Sequence, residues 1–175
     1  QRTMEEKGIK VFHNSFGYDI TQDLPALSAA IKAPLEDKDF MTVVDAGGDD
    51  SGARVLHQFK KYFLDDDCEM LFVINGNRPE TSTVDGCIDH MNRIMAETGL
   101  EIKGILNNTH LLSETSVNDI IKGVELCKDV SAKTGIPFVE SYCDERMLAK
   151  MDPEALVGLK IKPISLFLRP SWLQY

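Results

Sequence analysis

Closely spaced cysteines and long apolar runs are both missing from this 175-residue sequence. Its four cysteines form no C-x-x-C pair, and its histidines do not supply zinc-ligand spacing, which disfavours a structural metal. Widely separated cysteines in apolar surroundings are typical of reduced thiols in the core of a cytosolic protein. No apolar run is long enough to cross a bilayer. We therefore expect a cytoplasmic protein that is not attached to a membrane.

Basic residues are also few. The chain has 28 acidic and 19 basic residues, which gives a formal net charge of -9. Such a surface repels nucleic acid phosphates and anionic membranes unless its basic residues cluster. The largest basic groups are pairs, such as Lys60 with Lys61. The sequence therefore predicts no direct binding of nucleic acid.

A phosphate-binding loop of the form G-x-x-x-x-G-K-[ST] is absent as well. Gly47 and Gly52 have the glycine spacing of that loop, but Ala53 and Arg54 follow in place of the lysine and the hydroxyl residue. The segment thus lacks the groups that reach the terminal phosphates and Mg²⁺. Asp49 and its acidic neighbour would also repel a polyphosphate. This segment is not a phosphate-binding loop.

What the sequence does contain is a regular alternation of short β-rich runs with longer helical patterns. The helical patterns carry apolar residues at spacings of three and four, with glycine and capping residues at their ends. This order predicts one α/β domain over residues 1–175, with a mostly parallel sheet and helices on both faces. The predicted strands are residues 9–12, 41–46, 70–75, 102–107, 138–142 and 164–168.

The first candidate functional residues follow the predicted strand at 41–46. Ligands of parallel α/β sheets bind outside the carboxyl ends of the strands. Asp45 stands at such an end and precedes Gly47 and Gly48. A carboxylate there can hold Mg²⁺ through water, while the glycines let the backbone turn beside a terminal phosphate. An aspartate that caps the following helix, with glycines that only form a turn, explains the same residues equally well.

Amide side chains follow the next predicted strands. Asn107 and Asn108 end the strand at 102–107, and an amide offers both a donor and an acceptor to the edge of a purine ring. Asn75 has a similar position, and Arg78 can meet a phosphate or a carboxylate. The simpler interpretations are side-chain-stabilised turns for the asparagines and a solvated side chain for Arg78.

Four segments carry a family resemblance, namely residues 43–53, 73–79, 104–111 and 134–137. In this order they resemble the ParA/MinD/CobQ group of P-loop ATPases, and they are most similar to MinD-like ATP-binding proteins of bacteria. The resemblance spans most of the chain. It implies the three-layer α/β sandwich of P-loop NTPases, truncated at the amino terminus.

The resemblance also implies roles for individual residues. Asp45 corresponds to the Walker B carboxylate, which holds Mg²⁺ through water, and Gly48 to part of switch II. Asn107 would hydrogen-bond the adenine, with Asn108 as the alternative because the register is open. Asp144 lies in a segment that resembles the loop bordering the base.

The Walker A loop of that family would precede this chain. We therefore expect ATP and Mg²⁺ as ligands of a parent protein, and a chain that alone neither binds ATP tightly nor hydrolyses it. A homodimer and a further, unidentified protein partner are expected. One alternative is a complete, non-catalytic Rossmann-like interaction module that dimerises through an exposed sheet edge. A Rossmann-like domain for another nucleotide is less favoured, because no G-x-G-x-x-G follows the first strand.

Overall fold

A computed structural model describes residues 2–12, 31–64 and 67–166 of the chain. The contacts within the chain separate two compact units, Gln1–Asp45 and Ala46–Tyr175. The single domain predicted over residues 1–175 stays a prediction. The β-sheet lies in the second unit. Within the described ranges, no helix has the length and apolar character that a membrane span requires.

The first unit contains two four-residue helices, α1 (Arg2–Glu5) and α2 (Ala33–Glu36). Pro34 stands in the first turn of α2, where its missing N–H costs no helical hydrogen bond. The sequence predicts a longer helix that starts near residue 24. Residues 13–30 lie outside the described part of the chain, so the structure tests this prediction only from residue 31 onward, where it contains the short helix α2.

The first two predicted strands do not form. Residues 9–12 and 41–46 have no regular secondary structure. The side chains of Met41 and Val43 are 93% and 83% exposed. An apolar β-type pattern is enough to predict a strand, but a strand forms only where a neighbour pairs with its backbone N–H and C=O groups. Both predictions are wrong for that reason.

The second unit is built on four parallel strands in the order β1-β2-β3-β4. This sheet confirms the α/β class predicted from the alternation of elements. The last strand ends at residue 164, where the predicted one begins, and residues 167 and 168 of that prediction lie outside the described part. The strands are β1 (Met70–Ile74), β2 (Ile102–Asn107), β3 (Phe138–Asp144) and β4 (Ile161–Ile164).

Two long helices connect the first three strands. Helix α4 (Val84–Thr98) joins β1 to β2, and α5 (Val117–Thr134) joins β2 to β3. The capping box predicted from the sequence is present at the start of α5, where Ser116 and Asp119 accept hydrogen bonds from each other's backbone N–H groups. Gly99 ends α4 with a φ of 64°, a left-handed conformation that favours glycine.

The remaining helical segments are short. The sequence predicts one helix over residues 52–63, but α3 (Asp50–Ala53) gives way to a 3₁₀ helix (Arg54–Tyr62) in which Phe59 is buried. Helix α6 (Glu145–Leu148) follows β3 directly. Shorter 3₁₀ turns occur at Pro79–Thr81, Leu112–Glu114 and Pro153–Leu156.

The core lies between one face of the sheet and the two long helices. Buried side chains of α4 and α5 pack together against Phe72 and Ile74 of β1. On the opposite face of the sheet, Leu71, Val73 and Val139 are exposed. The sequence predicts helices on both faces of the sheet. The two long helices of the described residues, α4 and α5, lie on the same face.

Three of the four cysteines belong to the core clusters of the sheet and its helices. All four are free thiols, and Cys87, Cys127 and Cys143 are buried. Burial raises the pKa of Cys87 to about 11 and the pKa of Cys127 to about 12. Such thiols stay protonated at neutral pH and are poor nucleophiles. The prediction of free core thiols is confirmed for these three cysteines, whereas Cys68 is only partly buried.

Candidate functional site

The carboxyl ends of the four parallel strands form one edge of the sheet, the carboxyl edge. The amino-terminal ends of α4 and α5 lie on the same side, because each helix follows the strand that ends there. Most of the predicted site residues of the second unit come to this edge: Asn75, Arg78, Asn107, Asn108 and Asp144.

Asn75 ties the end of β1 to the loop that follows β2. Its side-chain Oδ1 accepts hydrogen bonds from the backbone N–H of Asn77 at 3.0 Å and of His110 at 3.4 Å. Its Nδ2 donates to the carbonyl oxygen of His110 at 3.3 Å. Next to it, the backbone N–H of Gly76 donates to Thr109 Oγ1 at 2.9 Å. Asn75 therefore stabilises a turn, which is the simpler of its two predicted roles.

Asn107 is buried and bonded within the protein. Its side chain is 1% exposed, Nδ2 donates to Ser141 Oγ of β3 at 3.1 Å, and Oδ1 accepts from the N–H of Thr109 at 3.0 Å. A buried amide that loses its partners costs about 1–3 kcal/mol per unsatisfied group. Asn107 thus holds the ends of β2 and β3 together, and the geometry does not favour it as the residue that meets an adenine.

Asn108 fits that predicted role better. Its backbone N–H donates to the carbonyl of Ile74 at 2.8 Å, which fixes its position beside the end of β1. Its side chain is only half-buried and makes no hydrogen bond to the described residues. The amide of Asn108 is therefore available to a ligand at the carboxyl edge.

Gly123 allows α5 to approach the end of β2. A Cβ atom on Gly123 would lie 2.5 Å from Asn107 Oδ1 and would overlap Thr109 Oγ1 more severely still. Only glycine leaves room for both polar side chains under the helix. The sequence does not point to this residue, because a glycine inside a helical pattern carries no signal of what it packs against.

A second polar link joins the end of β1 to the start of α5. Asn77 Nδ2 donates to Asp119 Oδ1 at 3.0 Å, and Asp119 also accepts from Ser116 in the capping box. These hydrogen bonds, the one from the Ser116 side chain foremost, hold the pKa of Asp119 below its ordinary value. The sequence does not predict Asn77 as a site residue, since its partner is 42 positions away.

Arg78 and Asp144 differ in how much of their charge is available. Arg78 is exposed and pairs with no carboxylate among the described residues. Asp144 accepts hydrogen bonds from the backbone N–H, Nε and Nη2 of Arg146, at 2.9, 3.1 and 2.7 Å. The Arg146 guanidinium holds the pKa of Asp144 below its usual value. Arg78 can therefore contact an anionic ligand, whereas Asp144 caps α6 and is already neutralised.

The residues around the double glycine lie partly in each unit. Asp45 is exposed, belongs to the first unit and has no strand to support it. In the second unit, Asp49 Oδ1 accepts from the N–H of Gly52 at 2.6 Å and so caps α3. Gly47 packs against Gly52 so closely that a Cβ on Gly47 would lie 2.6 Å from its Cα. Gly47 and Gly48 thus form a turn, and the capping residue of this segment is Asp49.

No three His, Cys, Asp or Glu side chains come together as metal ligands in the described ranges. Mg²⁺ prefers oxygen ligands in an octahedral arrangement and usually keeps several waters. Asp45 supplies one exposed carboxylate, which alone does not fit that requirement. Its assignment as a Mg²⁺ ligand stays a prediction.

No protein-family model, curated protein or solved structure matches this chain. The ParA/MinD/CobQ resemblance therefore rests on the residues that carry it. Two of its four segments cross strand ends in the structure, residues 73–79 at the end of β1 and 104–111 at the end of β2. The segment at 134–137 lies directly before β3.

Gly123→Ala is expected to destabilise the protein. Replacing a helical glycine by alanine normally stabilises a helix by about 0.5–1 kcal/mol. Here the added methyl group overlaps Asn107 and Thr109, and overpacking of this kind costs about 1–3 kcal/mol. Urea unfolding followed by circular dichroism measures the difference, with the exposed neighbour Lys122→Ala as the control. A gain in stability for Gly123→Ala would contradict the close approach of α5 to β2.

Asp119→Asn tests the charge of the capping box. The pKa of Asp119 in the folded protein lies below the value of 3.8 expected for the unfolded chain. Its carboxylate therefore stabilises the fold above about pH 4, and this contribution is lost as the pH falls through the folded-state pKa. We expect Asp119→Asn to lower the free energy of unfolding by about 0.5–1 kcal/mol at pH 7. Asp129→Asn, on the exposed side of α5, is the matched control.

Measurements of the unfolding free energy at several pH values show whether the charge of Asp119 is what stabilises the fold. Unfolding free energies of the wild type and Asp119→Asn should converge as the pH falls below about 4. A difference that stays constant from neutral to acidic pH would mean that shape, and not charge, is what Asp119 contributes.

Proposed function

We propose that the carboxyl edge binds the base side of a nucleotide, as part of a ParA/MinD-like ATP-binding protein whose phosphate-binding loop lies outside these 175 residues. One observation carries the proposal. Most polar side chains of the edge are bonded to one another, which makes the edge rigid, while Asn108 and Arg78 keep their polar groups available. A rigid frame with a few unsatisfied polar groups is the usual construction of a small-molecule site.

Each available group suits one part of a nucleotide. The amide of Asn108 offers a donor and an acceptor, which is the pattern on the edge of an adenine. The guanidinium of Arg78 offers paired donors for a phosphate oxygen. Asn75, Asn77 and Asn107 serve as the support that holds the loops of these two residues in place.

The chain lacks the groups that would bind a triphosphate on its own. Gly47 and Gly52 have the glycine spacing of a phosphate-binding loop. Ala53 and Arg54 then stand at the positions where such a loop has lysine and a hydroxyl residue. In the proposed whole protein, a strand carrying that loop pairs with the free side of β1, which is an edge strand of the sheet. Mg²⁺ bound with the phosphates would then neutralise part of their charge.

Adenosine is expected to bind the isolated chain weakly and at the carboxyl edge. In a titration followed by amide NMR shifts, we expect a dissociation constant in the millimolar range and shifts confined to residues 75–78 and 107–110. Asn108→Ala should abolish the shifts, and Asn92→Ala on the exposed side of α4 should not. Arg78→Gln should leave adenosine binding unchanged and remove any preference for AMP. Mg-ATP should bind more weakly than a micromolar dissociation constant, with no hydrolysis above background.

Two results separate the parts of this proposal. Tight Mg-ATP binding by the isolated chain would show that no outside phosphate-binding loop is needed. Folded protein that shows no shifts at the carboxyl edge with millimolar adenosine would exclude the base site itself.

A second candidate function is a non-catalytic interaction module that forms a homodimer. The observation that favours it is the exposed sheet face with Leu71, Val73 and Val139. It lies beside the edge of β1, with which no other strand of the described residues pairs. An exposed edge of this kind readily pairs with another chain. A second copy of the chain supplies the same apolar surface.

Sedimentation equilibrium tests the homodimer. We expect Val73→Lys to weaken dimerisation at least tenfold, because it buries a charge in the apolar contact. Val157→Lys, at an exposed position after the last 3₁₀ turn, is the matched control. A wild type that stays monomeric at high protein concentration would exclude this module.

A further inference from the structure

His90 on α4 connects the long helix to the turn at Gly48. The His90 side chain is 7% exposed, and its ring lies against Phe72 of β1 with 5.8 Å between the ring centroids. Its Nε2 atom is 2.6 Å from the carbonyl oxygen of Gly48. His90 thus contacts the double-glycine turn directly, although the two are 42 residues apart in the sequence.

Arg93 fixes which nitrogen of His90 carries the proton. Arg93 Nη2 lies 3.2 Å from His90 Nδ1, and a guanidinium has only donors. Nδ1 therefore accepts, and a neutral ring must carry its proton on Nε2, where it donates to Gly48. Arg93 Nε is in turn 3.4 Å from Asp89 Oδ2. Asp89, Arg93 and His90 form a chain of polar contacts that ends on one backbone carbonyl.

Helix α3, which follows the turn, packs against α4, and His90 adds a hydrogen bond at the near end of the turn. The shape of the turn is set internally by the Asp49 cap and by the contact between Gly47 and Gly52. Ala53, at its far end, is buried in the core. Gly48 is exposed, so water can replace His90 as the partner of its carbonyl group. The hydrogen bond from His90 therefore adds to the packing of α3 at the end of the turn that is open to water.

We propose that His90 is a latch that holds the Gly47 and Gly48 turn against α4, with Arg93 as the residue that keeps its donor in position. The latch is a conformational device with a held and a released position of the turn. The proposed role of His90 does not depend on whether the carboxyl edge binds a nucleotide. If the proposed function is right, the latch controls the turn that the resemblance places beside the terminal phosphate.

Amide hydrogen exchange of the full chain tests the latch. His90→Phe keeps a ring against Phe72 but removes the donor, and we expect exchange in residues 46–52 to become about fivefold faster. Arg93→Leu should accelerate exchange in the same residues to a smaller extent. Without the guanidinium, Nδ1 of His90 has no donor beside it, and the ring proton can move from Nε2 to Nδ1. His90→Gln keeps a side-chain donor and should restore part of the protection. Exchange in β2 and α5 should not change in any of these variants.

The matched control is His57→Phe, which changes an exposed histidine on the 3₁₀ helix. Nitrogen NMR shifts of the His90 ring supply an independent signature, with the proton on Nε2 in the wild type and a changed Nδ1 shift in Arg93→Leu. If His90→Phe fails to fold, Arg93→Leu still decides the question, since Arg93 is half exposed. Unchanged exchange at residues 46–52 in the folded variants, or a wild-type proton on Nδ1, would overturn the latch.

Discussion

The buried amide of Asn107 is the interaction on which the carboxyl edge depends. A polar group that is 1% exposed is stable only when both its donor and its acceptor are satisfied, and Ser141 and Thr109 do this. Those bonds fix the ends of β2 and β3 relative to each other. Gly123 then lets α5 lie close over them, and the start of α5 presents Asp119 to Asn77 in the loop after β1. The contacts that join β2, β3 and α5 at this edge are thus centred on Asn107.

This arrangement separates supporting residues from residues that can meet a ligand. A side chain whose hydrogen bonds are all made inside the protein must break them to bind anything else, and each broken bond costs free energy. Asn75, Asn107 and Asp144 are in that position. Asn108 and Arg78 are not, so a ligand gains their hydrogen bonds without a competing loss. Satisfaction of hydrogen bonds thus identifies the candidate ligand contacts more sharply than residue type does.

Local signals in the sequence predict the second unit well. Apolar runs predict β1, β2 and β3, and capping residues and a final glycine predict α4 and α5. The choice between Asn107 and Asn108 is different, because neighbouring strand residues face opposite sides and only the packed helix shows which side is buried. The strand predicted at 41–46 fails for a related reason, since pairing depends on a partner that local pattern cannot supply. The contact of His90 with Gly48 joins positions 42 residues apart, and no spacing rule reports it.

The exposed apolar side chains link the two candidate functions. Leu71, Val73 and Val139 on one face of the sheet are apolar β-type residues that remain in contact with water. Isolated exposed residues of this kind need no explanation, but a contiguous apolar surface on an open sheet usually marks an interface. Both candidate functions meet this need by adding polypeptide, either a strand with a phosphate-binding loop or a second copy of the chain. They differ in what the carboxyl edge gains. Only the first brings phosphate-binding groups next to Asn108 and Arg78, so ligand binding at that edge, and not dimerisation alone, is the property that distinguishes them.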